Sequence, residues 1–331
     1  MEVFIGIDVG SVSTKIAAIS KQGEVIARVY IPTSGDPLTA VKNALRSIKK
    51  MLDESIQTES QNSAYRIAGV GTTGSGRGLA ALMVGADIAK NEITAHATAA
   101  VEIEKDVKTI LEIGGQDSKI ILLRDGIVTD FAMNTVCAAG TGSFLEHQAQ
   151  RLGVPITEFG SYALRAKTRV RIAGRCTVFA ESDMIHKQQL GFTKEDIIAG
   201  LCDALVRNYL NNVGRGKQIE EPILFQGGVA ANIGIKDAFE RFLGKKVQVP
   251  KYYNIMGAIG AALLAKDFTD SGRKKTAFKG FEQAEKAFKT TSFECNGCSN
   301  MCEIIQFIEE GHIIARWGDR CGKWQNLENH P

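Results

Sequence analysis

Val3-Phe-Ile-Gly-Ile-Asp-Val-Gly-Ser-Val-Ser-Thr-Lys-Ile-Ala-Ala-Ile19 reads as strand, tight turn, strand, with apolar runs on either side of Asp8 to Lys15. A second turn, Lys21-Gln-Gly-Glu24, leads into the alternating run Val25 to Ile31. The same order recurs further along the chain. Val107-Lys-Thr-Ile-Leu-Glu-Ile113 ends in Gly114-Gly-Gln-Asp117, Ser118 to Leu123 is another strand, and Asp125-Gly126 is a hairpin turn into Ile127-Val-Thr-Asp-Phe131. Strand-turn-strand-turn-strand therefore occurs twice, which predicts an internal duplication of two α/β halves.

Helical patterns separate these runs. Asp36 to Leu52 carries Leu38, Val41, Leu45, Ile48 and Leu52 on one face, and Thr94 to Glu104 is a further helix. Between them, Arg66 to Val70 is a strand running into the glycine-rich loop Gly71-Thr-Thr-Gly-Ser-Gly-Arg77. Thr193 opens a helix whose face is Ile197, Leu201, Leu205 and Leu210. Pro222 to Phe225 is a buried strand that enters Gln226-Gly-Gly-Val-Ala-Ala-Asn232, and a helix rich in small residues spans Ile255 to Leu264.

At 331 residues, with 44% hydrophobic and 23% charged residues, the chain has the make-up of a globular protein of two or three domains. A net charge of +3 is too small to argue for nucleic acid or membrane as partner. There is no apolar run long enough for a transmembrane helix, and no basic region and cleavage site ahead of the first strand. A cytoplasmic protein is expected, in which seven cysteines are not a disulfide framework.

Three glycine-rich turns each follow a strand: Asp8 to Lys15, Gly114 to Asp117, and Gly227-Gly228. Glycine lets the backbone approach a phosphate and turns N–H groups toward it. Gly10, Ser11, Ser13, Thr14 and Lys15 in the first turn, Gly114 and Gly115 in the second, and Gly227 and Gly228 in the third are the candidate nucleotide-binding residues. Asp8 is placed to hold a magnesium ion through water, since magnesium keeps much of its hydration shell. Lys15 can neutralise phosphate charge.

These turns resemble those of the superfamily that includes actin, hexokinase, acetate kinase and the ATPase domain of heat-shock chaperones. The resemblance implies duplicated actin-like (ribonuclease H-like) halves with ATP between them. Asp8 to Lys15 is similar to the first phosphate loop, Glu112-Ile-Gly-Gly-Gln-Asp117 to the second, Gln226 to Asn232 to the adenosine loop, and Gly257 to Ala262 to the second connecting helix. Members usually carry Asp where this chain has Glu112, which bears on whether Glu112 helps hold Mg2+. There is no Walker motif and no convincing GxGxxG after a strand, which disfavours a P-loop or dinucleotide fold.

Two cysteines stand before helices: Cys137 in Asn134-Thr-Val-Cys-Ala-Ala-Gly-Thr-Gly-Ser-Phe-Leu-Glu146, and Cys176 in Gly174-Arg-Cys-Thr-Val-Phe-Ala-Glu-Ser-Asp183. Free N–H groups and the dipole at a helix start favour a thiolate. His147 and His186 each lie ten residues past a cysteine, roughly 15 Å along a helix, too far for a cysteine–histidine dyad within one helix. Cys202, amid Leu201 and Leu205, is expected in the core. Two thiolates cannot fill the four ligand positions of a cubane cluster or of zinc. A two-fold dimer supplies the other two, which predicts one 4Fe-4S cluster shared by two subunits.

The same motifs, with Gly114-Gly-Gln-Asp117 and Gly227-Gly-Val-Ala230, resemble the activators (component A) of 2-hydroxyacyl-CoA dehydratases and the ATPase subunits of benzoyl-CoA reductase. The resemblance covers Met1 to about Asp267 and implies a homodimer with the cluster ligated by Cys137 and Cys176 of each subunit. It also implies a ferredoxin or flavodoxin donor, an acceptor metalloenzyme such as a dehydratase or a double-cubane protein, and the cytoplasm of an anaerobe. ATP hydrolysis would move the helices behind the two cysteines and deliver a low-potential electron. From position, Gln116 would orient the attacking water and Asp117 would act near the γ-phosphate. The alternative from another class is a small-molecule kinase of the same superfamily, which leaves both cysteines unexplained.

Residues 1–105, completed by 256–268, are expected as the first ATPase half and 106–255 as the second. Residues 269–290 are expected as a basic linker and 291–331 as a four-cysteine module. There Cys295, Cys298, Cys302 and Cys321 are expected to converge, because the hairpin Glu303 to Trp317, turning near Glu310-Gly311, brings Cys302 close to Cys321. Such a set suits zinc or a second 4Fe-4S cluster.

Overall fold

The computed structural model describes residues 1–59, 64–134, 138–174, 176–272 and 275–324. Cys137 lies outside the described residues. The chain divides into two compact units, Met1–Lys90 with Ala261–Pro331, and Asn91–Gly260.

The first unit begins with β1 (Glu2–Val9), β2 (Ser13–Ser20), β3 (Val25–Pro32), α1 (Pro37–Glu59), β4 (Arg66–Thr73), α2 (Arg77–Val84) and β5 (Ile88–Ala89). Its sheet has the order β3-β2-β1-β4-β5, with β1 antiparallel to β2 and parallel to β4. β1 and β2 are buried along nearly their whole length, as strands covered on both faces are. α1 contributes Val41, Leu45, Ile48 and Leu52 to the core of this sheet, the stripe that its helical spacing predicts.

The second unit opens with α3 (Glu92–Ile103), β6 (Thr109–Ile113), β7 (Ser118–Arg124) and β8 (Ile127–Asn134). α4 (Gly142–Leu152), α5 (Ile156–Leu164), α6 (Thr177–Gln189) and α7 (Lys194–Asn212) follow. β9 (Ile223–Gln226), α8 (Ile233–Leu243), β10 (Val247–Gln248) and the start of α9 (Met256–Gly272) complete it. Its sheet has the order β8-β7-β6-β9-β10, with β6 antiparallel to β7 and parallel to β9. Strand order and strand direction therefore match those of the first unit. Thr193 caps α7 by accepting a hydrogen bond from the Asp196 amide at 3.2 Å. α7 is the central helix of this core, with Tyr209 and Phe225 each edge-on to Phe239 at 5.2 Å. The small residues of α9 have a packing reason: a Cβ at Gly260 would lie 1.8 Å from the Ala95 carbonyl oxygen of α3.

β11 (Phe288–Glu294), β12 (Glu303–Glu309) and β13 (His312–Trp317) form a separate antiparallel sheet. Glu310 and Gly311 both have positive φ, the requirement of a type I′ turn between β12 and β13. This sheet shares the core of the first unit through Phe307, on which Phe288 stacks at 5.5 Å.

The structure divides the chain differently from the sequence expectation. α3 belongs to the second unit, where Ala95 packs on Gly260 and Glu92 pairs with Lys119. Residues 269–290, expected as a linker, are tied down instead. α9 runs to Gly272, and Asp87 accepts from Thr276 Oγ1 and the Ala277 amide, each at 2.7 Å. Lys279 donates to the Leu82 carbonyl at 3.0 Å, and Arg46 of α1 forks onto Glu285 at 2.7 and 2.8 Å. Among the described residues no helix is long and apolar enough to cross a membrane.

Candidate functional site

In the first unit the turn between β1 and β2 is closed by the Gly10 amide donating to the Ser13 carbonyl at 3.0 Å. Asp8 and Lys15 face one another across the strand pair, and Lys15 Nζ lies 3.2 Å from Asp8 Oδ2. The Thr14 and Thr33 hydroxyls are 3.0 Å apart, and Thr33 Oγ1 donates to the Gly10 carbonyl at 2.8 Å, which sets the turn against β3. Ser11 is exposed at its tip, whereas Asp8 and Ser13 are buried. The loop after β4 buttresses Asp8. Gly76 N donates to the Val9 carbonyl at 2.9 Å, and a Cβ at Gly74 (φ +90°) would lie 2.4 Å from that oxygen and 2.7 Å from Asp8 Oδ1. Glycine there allows the chain to cross close over the carboxylate.

The second unit repeats this arrangement. The turn between β6 and β7 is closed by Gly114 N donating to the Asp117 carbonyl at 3.0 Å. Glu112 and Lys119 are cross-strand partners, as Asp8 and Lys15 are. A Cβ at Gly227 (φ +89°) would lie 2.4 Å from the Ile113 carbonyl oxygen and 2.7 Å from Glu112 Oε1, so Gly227 crosses Glu112 as Gly74 crosses Asp8. Gly228 and Gln116 are exposed. Gln226 Nε2 is 2.9 Å from His96 Nδ1, and Gln226 Oε1 is buried without a partner.

Lys119 escaped the sequence reading. Its ammonium meets three carboxylates, Glu92 at 2.7 Å, Asp117 at 2.8 Å and Glu112 at 3.1 Å, and its side chain is 2% exposed. Burial opposes the charge on Lys119, but Glu112, Glu92 and Asp117 outweigh it and hold the ammonium above its ordinary pKa. Burial pushes the Glu112 carboxyl up, against the pull of Lys119 and His96. The signal that would have found Lys119 is the repeat itself: it stands seven residues after Glu112, as Lys15 stands seven after Asp8.

The segment after Cys137 is joined to this loop. A short 3-10 turn, Ala138–Gly140, precedes α4, so the α-helix begins at Gly142 and not directly behind the cysteine. Gly142 N and Ser143 N donate to the carbonyls of Gly114 and Gly115 at 2.9 and 2.8 Å. Those first N–H groups of α4 are thus engaged by the second loop. Cys176 is the N-cap of α6, with extended backbone and no side-chain capping bond. α7 holds both segments: Asn208 Nδ2 donates to the Gly174 carbonyl at 2.5 Å, and a Cβ at Gly140 would lie 2.8 Å from Asn208 Oδ1. Arg151 of α4 pairs with Glu181 of α6 at 2.6 Å. Cys202 is fully buried in α7, and burial pushes its thiol up.

α6 buries only Ala180 and Met184 among its residues and leaves Val178 and Phe179 each 66% exposed, in the turn beside Cys176. Ile185 and Leu190 are exposed on the same stretch. Contiguous exposed apolar groups of this kind mark an interaction surface.

The four C-terminal cysteines are not gathered into one ligand set. Among the described residues no three His, Cys, Asp or Glu side chains meet as a metal-holding group. Cys295 N donates to the Cys302 carbonyl at 2.8 Å, so the knuckle closes through backbone, while Cys298 and Cys321 are exposed. The Cys295 sulfur is taken by the Trp324 indole N–H at 3.1 Å, which, with the Gly297 amide, lowers its thiol pKa. Trp324 itself packs edge-on to Phe293 at 4.9 Å.

Comparison with known proteins agrees with this geometry. The model of the BadF/BadG/BcrA/BcrD ATPase family matches residues 5–265. The (R)-2-hydroxyglutaryl-CoA dehydratase activating ATPase of Acidaminococcus fermentans is 35% identical over 264 residues, 79% of this chain and 96% of that one. The 2-hydroxyisocaproyl-CoA dehydratase activator of Clostridioides difficile is 33% identical over 272 residues, 82% of this chain and 97% of that one. The solved structure of the activator of the 2-hydroxyisocaproyl-CoA dehydratase from Clostridium difficile, with bound ADPNP, superposes with a TM-score of 0.73 at 31% identity, covering 82% of this chain and 97% of that one. With the matching sheets and glycine turns already described, this chain belongs to the BadF/BadG/BcrA/BcrD ATPase family.

Proposed function

We propose that this chain is an ATP-driven one-electron activator that works as a homodimer, with Cys137 and Cys176 of each subunit holding one shared 4Fe-4S cluster. The observation that carries the reading is the bonding of Gly142 N and Ser143 N to the Gly114 and Gly115 carbonyls. It makes the second phosphate loop and the helix behind Cys137 one mechanical piece. Cys176, at a helix N-cap with no competing side-chain bond, fits a thiolate ligand. The cluster, when bound, supplies one-electron chemistry at a potential set by its surroundings.

The chain's own residues then have the following roles. Asp8 holds hydrated Mg2+ and Lys15 offsets phosphate charge. Gly10, Gly114, Gly115, Gly227 and Gly228 bring backbone close to ATP, with Ser11, Ser13 and Thr14 lining the first turn. Gln116 orients water and Asp117 acts beside the γ-phosphate. A change in the 114–117 turn passes into α4 through the two hydrogen bonds that the Gly142 and Ser143 amides donate, and α7, through Asn208, carries the Cys176 segment with it. The exposed Val178 and Phe179 are the part of α6 that the second subunit would cover. The matching strand order of the two units supports their origin by duplication. The donor would be ferredoxin or flavodoxin, and the acceptor a 2-hydroxyacyl-CoA dehydratase, a benzoyl-CoA reductase-type enzyme or a double-cubane protein, in the cytoplasm of an anaerobe. The four C-terminal thiols as placed do not form a ligand set, so no role is built on a metal there. The small-molecule kinase alternative gives the Cys137 and Cys176 segments nothing to do.

The test is iron analysis of protein purified without oxygen, wild type beside Cys176→Ala. The expected result is a brown dimer with about four irons per two chains that the variant lacks, while the variant still binds ATP. Equal iron in both proteins after reconstitution would sink the reading.

A further inference from the structure

We propose that Lys119 is a further positioning residue for ATP hydrolysis, holding the carboxylates of Glu112 and Asp117 on the second phosphate loop in the arrangement that metal–nucleotide binding requires. The proposal rests on the ATPase reading above and deepens it.

An ammonium has three N–H donors. Lys119 meets three carboxylates, Glu92, Glu112 and Asp117, at 2.7, 3.1 and 2.8 Å. Glu112 lies near the end of β6, Asp117 in the turn that closes β6 onto β7, and Glu92 in the first turn of α3. The lysine itself is held at its backbone: Tyr209 of α7 donates its hydroxyl to the Lys119 carbonyl at 2.6 Å. A charge cluster this deeply buried contributes little net stability compared with apolar packing of the same volume. What it does supply is orientation, because losing the lysine leaves the buried Glu112 carboxylate desolvated and frees Asp117 to turn toward solvent. Glu112 is thereby held under Gly227, and Asp117 beside Gly114, whose own Cβ position is 2.8 Å from Asp117 Oδ1. Lys119 also occupies the register position that Lys15 occupies in the first unit, where the lysine faces the carboxylate assigned to Mg2+.

Three carboxylates against one ammonium leave an excess of negative charge. Lys119→Met increases that excess, and Lys119→Met with Glu92→Gln restores it without touching the loop. The four measurements are kcat, KM for MgATP, the Mg2+ concentration at half-maximal rate, and melting temperature. Lys119→Met is expected to lower both melting temperature and kcat. The double variant should regain part of the melting temperature while kcat stays about tenfold or more below wild type, because misplacing groups at a reacting centre costs rate beyond any loss of fold. Its Mg2+ midpoint should stay displaced. A double variant with wild-type kcat and Mg2+ midpoint would show that Lys119 only balances charge, and would overturn the proposal. If Lys119→Met does not fold, the double variant alone decides. A wild-type protein that hydrolyses no ATP would overturn the ATPase reading and this proposal together, an outcome recognisable before any variant is made.

Discussion

The turn between β1 and β2 and the turn between β6 and β7 set a carboxylate opposite a lysine in the same register, under a glycine with φ near +90°. Their surroundings differ. The Lys15 side chain is 17% exposed and meets Asp8. The Lys119 side chain is 2% exposed and meets three carboxylates. The one frame therefore has two electrostatic settings. Both facing carboxylates, Asp8 and Glu112, are buried, and it is the lysine of the first unit that is the more exposed. In the second the carboxylates meet a buried cation, and the loop's Gly114 and Gly115 carbonyls accept from the first amides of α4. On the proposed reading the first turn is the one assigned to the metal.

Substitutions can break this comparison, and the largest expected effect is on stability. Lys119→Met should cost about 3–5 kcal/mol, since it strands the buried Glu112 carboxylate, whereas Lys15→Met should cost less, because that lysine is the more exposed and pairs with Asp8. Denaturant unfolding of the two variants side by side measures this, and equal losses would erase the distinction. Next, Asp8→Asn should lower kcat for ATP hydrolysis about 10²–10³-fold with a fold unchanged by circular dichroism, while Glu112→Gln should cost clearly less. A larger loss at Glu112 would move the metal-binding role to the second turn. Gly74→Ala and Gly227→Ala should each destabilise by about 1–3 kcal/mol, because each forces positive φ and a carbonyl contact on a side chain. Similar losses sharpen the equivalence of the two frames.

The smallest effect concerns pH. Burial raises the folded-state pKa of Glu112 above its unfolded value. Its contribution to stability is then full below the unfolded pKa and is lost as pH rises through the folded one. Glu112→Gln should flatten that decline, read as the slope of unfolding free energy as pH rises above the ordinary carboxylate range. An unchanged slope would mean that Lys119 keeps Glu112 ionised throughout.

Much of this was legible in the chain itself. The two strand-turn-strand runs and the glycine turns are local patterns, and the structure has them where the residues stand. Lys119 was missed because the second loop was read as ending at Asp117, although the seven-residue spacing from Asp8 to Lys15 pointed past it. The 3-10 turn between Cys137 and α4 was not legible, because it depends on Gly142 lying against the Gly114 carbonyl, a contact distant in sequence. The basic composition of 269–290 suggested a linker, yet Phe278, Phe281 and Phe288 in it pack on the first unit's core. Charge count concealed those aromatic anchors. Cysteine spacing conveys ligand number but not side-chain direction, and at Cys295 an indole N–H takes the sulfur.

The central claim is that nucleotide state acts on the chemistry at the Cys137 and Cys176 segments. Anaerobic potentiometric titration of the dimer, with and without MgATP, tests it most directly. The expected result is a reduction potential lower by about 59 mV or more with nucleotide, a tenfold change for one electron, and no such shift in Asp8→Asn. A potential that is the same with and without MgATP, in protein that hydrolyses it, would contradict the account.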